Sequence, residues 1–405
     1  MDVKIIDGAA LVNMLPPRNC KTFMDYATSV FEPYVLGQAE RVHRLDVVWD
    51  RYTPSSLKQS TREARGHGPR RRVTPNTTIP ANWQSFLRND DNKKELFAFL
   101  AKQVESMKTQ EGTVLISTYN EDVLSSSYVD KVGIAPCNHE EADTRVILHS
   151  AHAGQRGFSK IMIRTVDTDV VVLAIANATQ INVDELWIAF GVGKHYRYIP
   201  IHVSANELGQ RFCSALPSFH ALTGCDTVSA LAGIGKKTGY NTWKCYTEVT
   251  SALCNLSAQP ENILEDDSAL IERFVILMYS RTSPLTLVNQ ARQIFFAQGN
   301  RIIENIPPTQ SALQQHMKRA AYQAGHVWGQ SLVAIQEFPS PEDWGWQTAN
   351  DEWTPTWSTL PEASKSCQEL IRCACKEACR GLCKCHKASL PCTALCSCAG
   401  TCYQE

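Results

Sequence analysis

Five acidic spots along the chain stand where a carboxylate can do chemistry. Lys4-Ile5-Ile6 runs into Asp7-Gly8, Asp46-Val47-Val48-Trp49 runs into Asp50, and the stretch from Ile161 to Val166 runs into Asp167-Thr168-Asp169. Glu140-Glu141-Ala142-Asp143 opens a stretch with helical spacing, and Gly224-Cys225-Asp226-Thr227 leads into a glycine-punctuated one. An acid that ends a short apolar run lies at the carboxyl end of a strand, where ligands collect in a parallel sheet. An acid at a helix N-terminus is favoured by the helix dipole. Singly, each has an ordinary structural explanation: Asp7 and Asp226 as turn residues, Asp143 and Asp167 as helix caps, Asp50 as a solvated strand end. Jointly, on one sheet edge, they concentrate enough negative charge to destabilise the fold unless hard divalent cations neutralise it. Two Mg²⁺ or Mn²⁺ ions held about 4 Å apart by such carboxylates can drive phosphodiester hydrolysis.

A second chemistry sits at the other end of the chain, where ten of the 16 cysteines lie between Cys367 and Cys402. Neighbours such as Cys373 and Cys375 are badly placed to bridge each other, and the chain shows no export signal, so metal-bound thiolates are expected rather than disulfides. Cys373, Cys375, Cys379, Cys383, Cys385, Cys392, Cys396, Cys398 and Cys402 form two similar halves, each with a Cys-x-Cys pair. Two four-coordinate zincs strand one of these nine thiolates, whereas about three zincs use them all if three thiolates bridge. Cys367 falls outside the pattern as a spare thiol.

The elements that must position the acids follow from periodicity. Val3 to Ile6, Val47 to Trp49, Val114 to Ile116 and Ile161 to Val166 read as strands, and Leu96 to Val104 and Arg145 to His152 as helices between them. That alternation predicts βαβ units and a mainly parallel sheet covered on both faces. The Gly-, Pro- and Arg-rich stretch from Arg65 to Pro80 breaks the rhythm and reads as a mobile or inserted loop. Residues 241–327, with apolar spacing in Ala269 to Tyr279 and Ala312 to Ala321, read as a helical extension. Residues 328–366, rich in Trp and Pro, read as a linker whose tryptophans pack back on the body, and residues 367–405 as the zinc module. His149 and His152 share a helix face with no third ligand nearby and are expected at the solvated surface.

The ordered acids resemble the flap-endonuclease branch of the PIN-like nucleases over residues 1–240. Its first strand ending in Asp is similar to Ile5-Ile6-Asp7-Gly8, and its second, followed by a basic helix, to Val48-Trp49-Asp50 with Lys58, Arg62 and Arg65. Its Glu-Ala-Asp signature resembles Glu141-Ala142-Asp143, and its paired central acids resemble Asp167 and Asp169. Its Gly-x-Asp element and Gly-Ile-Gly turn resemble Gly224-Cys225-Asp226 and Gly233-Ile234-Gly235-Lys236-Lys237. The resemblance implies a PIN-like α/β fold and a two-metal site of Asp7, Asp50, Glu141, Asp143, Asp167, Asp169 and Asp226. It also implies that Lys58, Arg62 and Arg65 contact a strand, while Gly233, Gly235, Lys236 and Lys237 grip duplex DNA by its backbone. His139 departs from the pattern by standing where the family tends to carry another acid. The terminal cysteines resemble the CXC domain of tesmin-like proteins over residues 373–402. Leu382 stands where those proteins have a DNA-contacting tyrosine, and Lys376, Arg380, Lys384 and Lys387 remain to touch phosphates.

Composition bounds the rest. With 405 residues, 43% of them hydrophobic, the chain can bury a sizeable core, and a net charge of -1 leaves nucleic-acid binding to local patches such as Lys58, Arg62, Arg65, Arg70, Arg71 and Arg72. No run approaches the ~20 apolar residues of a membrane span, and Met1-Asp2-Val3-Lys4 lacks a signal-peptide layout, so an intracellular, nuclear protein without membrane partners is expected. The reading is a Mg²⁺- or Mn²⁺-dependent nuclease that cuts DNA by structure, with a zinc tail docking DNA, chromatin or protein. The alternative is a catalytically silent PIN-like scaffold that binds DNA, chromatin or protein, a pairing of modules that suggests mobile-element origin.

Overall fold

In a computed structural model, residues 1–53, 56–64, 66, 68–297, 305–349, 352–358, 373–374, 383, 385, 392 and 396–398 are described. The apolar runs become strands: β1 (Val3–Asp7), β2 (Arg44–Val48), β3 (Val114–Tyr119) and β5 (Lys160–Thr165). Three further strands complete the sheet, namely β4 (Asp122–Ser125), β6 (Glu185–Phe190) and β7 (Arg197–Pro200). The order is β4-β3-β2-β1-β5-β6-β7, with the five inner strands parallel and both outer ones antiparallel. From β1 the chain winds outward through β2 and β3, then returns to the other side of β1 with β5 and β6. A strand order that reverses in this way opens a crevice at the carboxyl ends of the strands beside the reversal.

Because successive side chains on a strand face opposite ways, Val3 and Ile5 enter one core and Ile6 the other. Helices cover both faces. The ones that matter for the site are α1 (Gly8–Met14), α2 (Gln59–Ala64), α3 (Asp90–Ser106), α4 (Ala142–Gln155), α5 (Thr168–Ala176), α6 (Gln210–Leu222) and α7 (Lys236–Cys245). Gly8 is forced by packing, since a Cβ there would lie 2.1 Å from the Trp49 ring.

Met1–Trp357 forms one compact unit and Ser358–Glu405 a second. The helices α8 (Val249–Ala258), α9 (Glu265–Tyr279) and α10 (Gln310–Ala321) share their apolar core with the sheet. So do Trp328, Trp344 and Trp346, and the stretch read as a linker folds into a hairpin of β8 (Trp346–Ala349) and β9 (Glu352–Pro355). The arginine-rich loop is pinned rather than projecting. Arg70 pairs with Glu95, and the backbone N–H groups of Arg71 and Val73 donate to Asn92 and Glu95 on α3.

His149 and His152 correct their sequence reading, for both are buried. Strand β2 is buried along its whole length, so Arg44 and Asp46, two residues apart and on one face, can be satisfied only by each other and by the helix above. Arg44 grips Asp46 with two nitrogens at 2.8 and 2.5 Å, while His149 Nδ1 lies 2.7 Å from Asp46 and His152 Nδ1 2.8 Å from Arg44. Burial opposes ionisation of Asp46, yet Arg44 and His149 overcome it and hold its pKa at about 2. Burial keeps His152 neutral, with a pKa of about 4. Asp46→Ala leaves a guanidinium buried without its counter-charge. It should cost about 3–5 kcal/mol in urea unfolding, and a loss under about 1 kcal/mol would show the network to be dispensable.

Candidate functional site

The predicted acids converge on the crevice beside β1. Asp7 ends β1 and caps α1, accepting from Ala10 N at 3.0 Å and from Thr165 Oγ1 at 3.0 Å. Asp50 follows β2 and accepts from Ala142 N at 2.8 Å, which ties it to the start of α4. Asp167 follows β5 and caps α5, whose first turn carries Asp169. Oxygens of Asp143, Asp167 and Asp169 all lie within 4.8 Å of one another. Asp226 enters after Gly224, whose φ of +110° and 2.9 Å approach to Ala230 tolerate no side chain.

Their electrostatics show the strain of that grouping. Burial and the charge of Asp50 raise Asp7 to about 7. Burial and Asp167 raise Asp143 well above the carboxylate range, and burial with Asp169 raises Asp167. Asp169 moves the other way: burial opposes its charge, but a 2.8 Å hydrogen bond from His220 Nε2 lowers its pKa. A cation of the chain itself answers part of this charge. Lys58 Nζ sits 2.9 Å from Glu141 and 3.7 Å from Asp226, and although burial disfavours its charge, these acids and Asp143 raise its pKa well above normal.

Carboxylates this close, several of them with pKa values raised by burial and by one another, are a donor set suited to hard divalent cations, so the residues fit the ions that the sequence implied. A consequence is testable without activity. Below the ordinary Asp value of 3.8 both folded and unfolded chains keep the Asp7 proton; between 3.8 and about 7 only the folded chain does. Stability of the metal-free protein therefore falls as pH rises through that window. Asp7→Asn should melt later than the native chain near pH 8 in chelator, by roughly 1–3 kcal/mol, with the gain vanishing toward pH 4. Earlier melting of the variant at both pH values would contradict the repulsion.

Several predicted contacts to nucleic acid are turned elsewhere. Arg62 pairs with Glu140 at 2.7 Å and lies over the Tyr52 ring at 5.0 Å. Arg65 lies outside the described residues. Gly233 adopts φ +73° and Gly235 caps α7, but Lys236 points inward, donating to the carbonyls of His220 and Gly224, and burial lowers its pKa to about 8. Lys237 is exposed. His139, in place of an acid, is buried and bonds the carbonyl of Val333 at 2.7 Å.

Sequence reasoning missed three features. His220 orients Asp169, and nothing in the spacing of Phe219-His220-Ala221 announces it. A cleft of about 580 Å³ beside Asp50 is lined by Tyr52, Tyr119 and Phe97, with Lys93 and Arg62 over the Tyr52 ring. The turn before β7 and the start of that strand expose Lys194, His195, Tyr196, Arg197 and Tyr198, and this interleaving of basic and aromatic residues was a readable signal.

In the second unit, sulfurs of Cys373, Cys392, Cys396 and Cys398 lie within 4.8 Å of one another, as do those of Cys373, Cys383, Cys385 and Cys392. The two sets share Cys373 and Cys392, whose sulfurs are 3.6 Å apart. Zn–S bonds of about 2.3 Å in a tetrahedron place sulfurs about 3.8 Å apart, so the described thiols fit zinc at two positions with shared ligands. Cys375, Cys379 and Cys402 lie outside the described residues, as do Cys367, Lys376, Arg380, Leu382, Lys384 and Lys387.

No family model matches the chain, and no curated protein does. Solved structures of bacteriophage T5 proteins align with it. The flap endonuclease in a pseudo-enzyme–product complex with DNA and metal ions aligns at 12% identity and TM-score 0.38, over 80% of this chain and 100% of that one. The 5'-exonuclease with bound zinc ions aligns at 13% identity and TM-score 0.38, over 80% and 100%. A third, co-crystallised with metal ions, aligns at 12% identity and TM-score 0.36, over 61% and 75%. Among the described residues, no helix is long and apolar enough to cross a membrane.

Proposed function

We propose that residues 1–357 form a nuclease that hydrolyses phosphodiester bonds in DNA with two Mg²⁺ or Mn²⁺ ions, and that the zinc tail docks DNA, chromatin or protein in the nucleus. The carrying observation is the meeting of Asp143, Asp167 and Asp169 at one crevice, with Glu141 and Asp226 joined to them through Lys58. Bound there, the ions would supply Lewis acidity and neutralise charge building on the phosphate. The chain's own residues do the rest. Asp7, Asp50 and the central acids would hold the cations, His220 fixes the oxygen that Asp169 presents, and Lys58 and Arg62 would exchange carboxylate partners for phosphate oxygens.

Exposed Lys194, His195, Arg197 and Lys237, together with the tyrosine-lined cleft beside Asp50, support nucleic acid as the ligand, since basic groups take phosphates and rings take bases. The Lys58–Glu141 pair also favours a second reading, a silent scaffold whose acids are partly satisfied from within. Flap, gapped and single-stranded DNA incubated with Mg²⁺ or Mn²⁺ separates the two: metal-dependent cleavage lost in Asp167→Ala supports the enzyme, and equal outcomes for both proteins support the scaffold.

A further inference from the structure

Lys58 and Glu141 also line a second cavity of about 280 Å³, which shares Thr53 with the cleft beside Asp50. Its two walls differ in chemistry. One is apolar and aromatic, built by Tyr322, Phe338 and Trp353 from the segment that folds back after α10. The other is polar, with the amides and hydroxyl of Asn138, Gln323 and Thr227 beside the charged Lys58, Glu140 and Glu141. The polar wall is rigid. Asn138 is clamped by Gln336 through its Nδ2 and Oδ1 at 2.8 Å each, and Thr227 donates to Gln323 Oε1 at 2.7 Å. That last bond fixes the orientation of the Gln323 amide, whose nitrogen makes no hydrogen bond among the described residues. The hairpin is braced against α2, through Gln59 Nε2 and Glu352 at 3.2 Å.

We infer that this cavity takes a single nucleobase, that of the nucleotide flanking the cut, turned out of its stack. The inference rests on the nuclease reading for its position, because Lys58 and Glu141 line the cavity as well as the acidic crevice. It rests on shape and chemistry for its ligand. A volume of about 280 Å³, just under the roughly 300–1,000 Å³ of drug-sized sites, has room for one flat heteroaromatic ring. Aromatic walls meet the ring faces, and an oriented amide reads the ring edge, as in enzymes that extrude a base. Gln323 then gives the cut a base preference, while Trp353 and Tyr322 supply sequence-tolerant stacking.

The test separates binding from cleavage. The full chain in chelator is titrated with each of the four deoxynucleosides and with deoxyribose, followed by calorimetry and tryptophan fluorescence. The nucleosides are expected to bind at least about 10-fold more tightly than the sugar, Trp353→Ala to erase that advantage, and Gln323→Ala to level the four bases while retaining stacking. In a second arm, flap DNA with an abasic residue moved across the junction should be cut about 10-fold more slowly at one position only, and Trp353→Ala should lose that sensitivity. Nucleosides that bind no better than deoxyribose, or a base advantage that Trp353→Ala keeps, overturn the inference. Base binding in a chain that cuts nothing would sink the nuclease reading and leave the cavity's ligand standing, so the two fail separately.

Discussion

Asp167→Ala is expected to lower metal-dependent DNA cleavage by at least about 100-fold while changing the metal-free stability little, because the relieved repulsion offsets the helix cap that is lost with it. The two halves of that statement have one cause. Asp167 follows β5, shares a 4.8 Å group with Asp143 and Asp169, and both raises and is raised by its neighbours. Removing it takes a ligand from any bound cation and also takes one like charge from the cluster. A residue conserving only structure would instead lower activity and melting temperature together. The decisive measurement is therefore a pair: cleavage rate with Mn²⁺, and melting temperature in chelator. Activity equal to that of the native chain ends the nuclease reading, and a large drop in melting temperature assigns Asp167 to the fold.

Zinc content gives the second large effect. About three zincs per chain are expected by elemental analysis, and fewer than two would reject a bridged cluster. The variants should differ in a specific order. Cys392 belongs to both four-sulfur sets, whereas Cys383 and Cys398 each belong to one. Cys392→Ser should release about two zincs, and Cys383→Ser or Cys398→Ser about one, because each metal needs its fourth ligand. Since structural zinc contributes about 10–16 kcal/mol of folding free energy, the tail of Cys392→Ser should also become protease-sensitive while residues 1–357 keep their melting profile. Equal zinc loss in all three variants would mean that no thiolate is shared.

The strands that carry the acids were readable because each contains a short apolar run that leads into a carboxylate, as Ile5-Ile6-Asp7 and Val48-Trp49-Asp50 do. The edge strands were not. Asp122–Ser125 is four residues long with one buried, and such a segment leaves no period to detect. Burial of His149 and His152 escaped for a different reason: their partners Arg44 and Asp46 sit at the start of β2, over 100 residues away, and only the sheet brings them under the helix. The partners of the basic residues were not legible either. A lysine in the sequence carries no label saying whether its charge faces solvent, as Lys237 does, or three oxygens within the fold, as Lys236 does. Cysteine counting suggested shared thiolates, yet which ones are shared follows from the approach of Cys373 to Cys392 and Cys396 across the two halves.

Both outer strands of the sheet run antiparallel to their neighbours, and each ends its row quickly. β4 is only four residues long, and β7 closes on Pro200, which has no N–H to offer, with Arg197 exposed at its other end. A stranger's backbone finds little to zip onto at either margin. Copies of this protein should accordingly not join their sheets edge to edge at high concentration.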